Sequence, residues 1–83
     1  MAKATKITKP TFYRNYILVP RADGSMDMID PSNGCWATFP TQRYAKWSAT
    51  FLKNINERFT DANRMSYGQL DAVKYQAKQG EPA

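Results

Sequence analysis

Cys35 is the single cysteine of the chain, and Asp27 and Asp30 are its most closely spaced carboxylates. A cysteine nucleophile needs a neighbouring base to raise its thiolate fraction, and the chain contains no histidine. Asp27 and Asp30 are an odd number of residues apart, so a regular strand turns them to opposite faces and they make no acid–base pair. One cysteine without histidine cannot assemble a structural zinc site. Asp27-x-x-Asp30 supplies too few oxygen ligands for a calcium loop. Asp23-Gly24 and Asn33-Gly34 read as turn dipeptides, since neither opens a glycine-rich loop from a strand into a helix. The expectation is a binding protein that is not an enzyme and uses no metal or cofactor. Cys35 is then a small apolar core residue.

What remains able to recognise something is charge and aromatic surface. The 83-residue chain carries a net charge of +5, unevenly placed. Lys3, Lys6, Lys9, Arg14 and Arg21 fall in the first 21 residues without an acid, whereas Asp23, Asp27 and Asp30 fall in residues 22–40 without a base. Arg43, Lys46, Lys53 and Arg58 then outweigh Glu57. A basic balance favours an acidic partner, and three lysines spaced three apart at the N-terminus suit phosphate tracking.

These residues need positioning elements. Residues 1–11 are polar and basic, and are expected to be a flexible arm. Phe12-Tyr13-Arg14-Asn15-Tyr16-Ile17-Leu18-Val19, stopped by Pro20, has the aromatic and β-branched content of a strand. Residues 25–30 alternate as a second strand between the turns at Asp23-Gly24 and Pro31-Ser32-Asn33-Gly34. Cys35-Trp36-Ala37-Thr38-Phe39 reads as a third, ended by Pro40. Thr41 is a good N-cap, and Tyr44, Trp47, Phe51, Leu52, Ile55 and Phe59 recur at helical spacing over residues 42–59. Arg43, Lys46, Thr50, Lys53 and Glu57 form a polar stripe on the same helix. Ser66-x-x-Gln69 is a capping box before a thin stripe of Leu70, Val73 and Ala77. The expected fold is α+β: a three-stranded antiparallel sheet packed against one long amphipathic helix, with a short second helix at the C-terminus. Residues 12–79 form the single domain, and residues 80–83 a disordered tail.

On this layout Phe39, Trp47, Phe51 and Phe59 are core, and Tyr13, Tyr16, Tyr67 and Tyr75 straddle core and surface. Trp36 points away from Phe39. It either lies exposed on an open sheet face, near Arg14 or Tyr16, or is covered by the arm or the C-terminal helix. In the first case Trp36, Arg14 and Tyr16 make the close contacts of a binding surface. Lys3, Lys6 and Lys9 then hold a backbone, and Arg43, Lys46 and Lys53 add charge.

Three short strands and two tight turns, followed by Trp36-Ala37-Thr38-Phe39-Pro40-Thr41 entering a helix, form a layout similar to two groups of DNA-binding domains. These are the plant AP2 type and the arm-binding domains of phage and transposon integrases. The resemblance spans about residues 12–59, and implies that arginine and tryptophan of the open sheet face enter a major groove. The pattern departs from those families in the scarcity of sheet arginines and in Asp27, which repels phosphate.

The N-terminus has no apolar stretch of a signal peptide, and the longest apolar run, Tyr16-Ile17-Leu18-Val19, is far short of a membrane span. A cytoplasmic protein with no membrane partner and no small-molecule substrate is expected. The leading expectation for function is a nucleic-acid-binding accessory or regulatory protein of a phage or mobile element. The alternative is a small phage- or plasmid-encoded inhibitor of a host protein complex. A homodimer is compatible with either.

Overall fold

A computed structural model describes residues 6–57 and 63–80. Five strands run as an antiparallel meander in chain order: β1 (Thr11–Tyr13), β2 (Tyr16–Pro20), β3 (Met26–Ile29), β4 (Cys35–Phe39) and a two-residue β5 (Asn63–Arg64). Helix α1 (Gln42–Asn54) follows β4, and α2 (Tyr67–Gly80) follows β5. The α+β class and antiparallel sheet stand as expected.

The strand count was underestimated because one expected strand is a hairpin. Arg14 and Asn15 adopt φ of 51° and 74°, and the flanking Tyr13 and Tyr16 pair directly. Two consecutive positive φ values make the tight turn whose twist matches that of the strands. Glycine is the usual signal for such a turn, and here there is none. The next connection spans residues 21–25: Asp23 accepts from the Ser25 amide and hydroxyl (3.0 and 2.6 Å), and Gly24 takes the positive φ of 94°. In the third, Asp30 is fully buried and accepts from the Ser32 amide and hydroxyl (2.9 and 2.6 Å), while Gly34 turns the chain at φ 75°. Asp23 and Asp30 are turn-forming acceptors, each satisfied within two residues of itself.

Helix α1 starts as anticipated, with the Thr41 hydroxyl accepting from the Tyr44 amide at 3.1 Å. It stops earlier than the apolar spacing implied. Asn56 turns left-handed at φ 58°, the Asn56 amide donates to the Lys53 carbonyl, and the Glu57 amide donates to that of Leu52. This is the hydrogen-bond pattern that closes a helix at a left-handed residue. Phe59, expected in the core, lies outside the described residues. Helix α2 begins at the expected capping box, where Ser66 and Gln69 bond reciprocally at 3.2–3.3 Å. At 14 residues against 13 for α1 it is no shorter than the first helix.

Each sheet face carries its own core. Tyr16, Leu18, Met26 and Met28 meet Ala45 and Ala49 of α1, with Ile7, Phe39 and Leu52 at the margin. On the other face Ile17 and Ile29 meet Leu70 and Ala77 of α2, bordered by Phe12, Val19, Trp36, Met65 and Val73. The order is helix, sheet, helix: α1 lies over β2, β3 and β4 on one face, and α2 over β1 and β2 on the other. Burial of apolar side chains at about 25 cal/mol per Å² makes these two layers the main source of stability. On the α1 side the bulk comes from the sheet, and the helix residues buried against it are Ala45 and Ala49.

Candidate functional site

The consequence appears on the outer surface of α1. Tyr44, Trp47, Phe51 and Ile55 are all exposed, Trp47 by 60%. The Phe39 and Tyr44 rings are 5.4 Å apart, Tyr44 and Trp47 meet edge-on at 6.3 Å, and Trp47 and Phe51 stack at 5.2 Å and 9°. Spacing of three and four residues brings successive members side by side along the helix. The result is an aromatic ladder running from the end of β4 along α1. Thr41, Arg43, Tyr44 and Trp47 line an open groove of about 410 Å³ at its N-terminal end. Trp47 and Phe51 were expected in the core; they lie outside it because Ala45 and Ala49 occupy the sheet contact.

Of the basic residues named from sequence, Arg43 and Lys53 are exposed on α1, and Lys46 is half-buried on the flank facing β1. Gln42–Asn54 contains no acid, and neither Arg43 nor Lys53 forms an ion pair among the described residues. Arg14 sits at the β1–β2 hairpin tip with its guanidinium carbon 5.5 Å from the Tyr13 ring centre. The Tyr13 phenol is held below its ordinary value, first by hydrogen bonding with Thr50 of α1. Desolvation opposes this, and Arg14 and Lys46 reinforce it. Arg14 and Lys46, far apart in sequence, both lower the titration of this tyrosine, Arg14 the more strongly.

Tyr16 does not contribute to this surface. It is 1% exposed beneath α1, and its hydroxyl donates to the Glu57 carbonyl at 3.2 Å. Trp36 is half-buried on the opposite face, against the cluster that α2 completes. Its pairing with Ile29, itself opposite Ile17, sets it across the sheet from Tyr16. The Trp36 Nε1 is buried and has no hydrogen-bond partner among the described residues. The open sheet face expected to unite Arg14, Tyr16 and Trp36 does not exist. Asp27 also belongs to the α2 side: it accepts from the Thr38 hydroxyl at 2.6 Å and pairs with Arg21 at 3.1 Å. Its charge is thus compensated, and is turned away from α1.

Lys6 and Lys9 are exposed, and Lys3 lies outside the described residues. Between the two lysines Ile7 is fastened by paired bonds, its amide donating to Gln42 Oε1 (2.9 Å) and its carbonyl accepting from Gln42 Nε2 (2.8 Å). Lys6 and Lys9 are thereby anchored beside the first turn of α1.

Sequence reasoning named the cations but missed the aromatic ladder. A usable signal was the second small-residue stripe of α1, Ala45 and Ala49, lying opposite the aromatic one. Cys35 is buried, and no cluster of three or more metal-ligating side chains occurs among the described residues. No described helix is long and apolar enough to cross a membrane. Comparison with protein families, curated proteins and solved structures finds no match to this chain.

Proposed function

We propose that this is a non-enzymatic nucleic-acid-binding accessory protein that engages a single strand through the outer face of α1. The groove between Arg43, Tyr44 and Trp47 carries the reading. Exposed aromatic faces bind bases by stacking whatever their sequence, and adjacent guanidinium and ammonium groups take the phosphates. The chain supplies both within one helix and its neighbouring hairpin. A covered sheet argues against insertion of strands into a duplex groove, so the resemblance to sheet-reading domains does not extend to their mode of binding.

If Arg14, Arg43, Lys46 and Lys53 each neutralise a phosphate, the logarithm of affinity falls against that of salt concentration with a slope of about −2.8 for a single strand. Anisotropy of a labelled oligothymidylate, titrated at several salt concentrations, measures it. Trp47→Ser is expected to weaken binding about tenfold or more, since one stacked base contributes about 1–3 kcal/mol. Salt-independent binding, or none at low salt, overturns the proposal.

One observation favours a second reading, an inhibitor of a host protein complex. Tyr44, Trp47, Phe51 and Ile55 are spaced as the anchors of a helix laid into a protein groove, and Ile55 has no stacking role. Partners captured from host lysate that survive nuclease treatment, and are lost in Trp47→Ser, would support this reading over the first.

A further inference from the structure

Arg14 stands where the turn disfavours it. Both central positions of this hairpin need positive φ, which asparagine and glycine adopt readily and a long side chain does not. Asn15 suits its place at φ 74°, but Arg14 at φ 51° carries a Cβ into the left-handed region. What the folded chain offers in return is one neighbour, the Tyr13 side chain under the guanidinium. Arg14 is exposed and forms no ion pair among the described residues. Strain kept at an exposed cationic tip is the kind of feature that marks a contact with something outside the fold.

The surroundings indicate what that is. Tyr13 lies on the α1 side of the sheet, where its register partner is Tyr16. Its titration is drawn downward first by Thr50, one helical turn beyond Lys46 on α1, then by Arg14 and least by Lys46. The Arg14 guanidinium, 5.5 Å from the Tyr13 ring centre, thus stands beside a phenol on the α1 side of the sheet, with Lys46 and Thr50 on the neighbouring helix. A guanidinium, an ammonium and hydroxyl donors are the groups that hold phosphate oxygens.

We propose that Arg14, Tyr13, Lys46 and Thr50 form a phosphate seat, set on the flank of α1 that faces β1, which grips a phosphodiester of the strand whose bases stack on Tyr44 and Trp47. The seat rests on the nucleic-acid reading and adds to it a defined backbone contact. Arg14 is the residue that the hairpin holds, under strain, for this purpose. The seat also orients the strand: its backbone runs along the β1 flank of α1 and its bases turn toward β4.

The test compares wild type, Arg14→Gly, Arg14→Lys and Trp47→Ser by oligothymidylate anisotropy at several salt concentrations, with thermal melts of the same samples. Arg14→Gly relaxes the turn, so its Tm is expected to rise by a few degrees while affinity falls about tenfold. Its salt slope shrinks by about 0.7, the value for one single-strand phosphate contact. Arg14→Lys keeps the slope but loses part of the affinity, because the planar fork is gone. A lower Tm in Arg14→Gly overturns the strain argument, and unchanged affinity and slope overturn the seat. If Trp47→Ser weakens binding and Arg14→Gly does not, the seat alone is lost. If wild type binds no oligonucleotide at low salt, the seat and the nucleic-acid reading both fall.

Discussion

Helix α2 buries Leu70 and Ala77 and half-buries Val73, the stripe its sequence advertises, whereas α1 buries Ala45 and Ala49 and leaves Tyr44, Trp47 and Phe51 in solvent. Both helices are amphipathic by spacing and both pack on the same sheet. They differ in what the sheet presents. Toward α2 it offers Ile17 and Ile29, and the helix supplies medium-sized aliphatic side chains. Toward α1 it offers Tyr16, Leu18, Met26 and Met28, and the helix residues buried there are Ala45 and Ala49, with Leu52 at the margin. A helix over a bulky sheet face must be small where it touches, which frees its large residues for another use.

That contrast can be broken at three points. Leu70→Ala removes the main α2 anchor at a site that is 5% exposed, and is expected to cost about 2–4 kcal/mol in urea unfolding. A loss below about 1 kcal/mol would mean that α2 is not a structural layer. Ala49→Leu tests the tight α1 contact, because extra methylenes there must displace Met26, Met28 or the helix. Overpacking of this kind costs about 1–3 kcal/mol, whereas a stabilising leucine would show that the helix has room to accept a larger side chain. Trp47→Ser should change stability least, by about 0.5–1 kcal/mol, the worth of one aromatic stack. A cost near that of Leu70→Ala would place Trp47 in the core after all and remove the ladder as a binding surface.

Much of the architecture was legible in particular residues. Cys35–Phe39 is a strand with the anticipated bounds, Thr41 caps α1, and Ser66 and Gln69 cap α2. The first hairpin was hidden because Arg14-Asn15 lacks glycine, so an unbroken apolar run looked like a single strand. The orientation of α1 was hidden for a different reason. Periodicity locates stripes on a helix, but two stripes satisfied it, and hydrophobicity alone prefers the larger one. The deciding quantity was volume available above Met26 and Met28, a property of the sheet rather than of the helix.

The candidate site was less legible than the fold. Arg14, Arg43, Lys46 and Lys53 were identified by charge alone, and each lies on or near the α1 surface. Tyr16 lies under α1, and Trp36 takes the second of its two expected places, half-buried against the cluster that α2 completes. Asp27, a charge hostile to phosphate, is engaged by Arg21 and Thr38 on the other side of the sheet.

The meander order has a consequence for how the chain reaches this state. The first four strands pair only with their sequence neighbours, across connections of two, five and five residues. Closing short loops costs little entropy, and proteins rich in local contacts fold quickly. The first 54 residues contain four strands and the helix that lies on them, and with them every aromatic of the ladder. Only the second layer, from β5 onward, waits for the remainder. The aromatic ladder thus belongs wholly to the first layer in chain order, and α2, which covers the far side of the sheet, comes last.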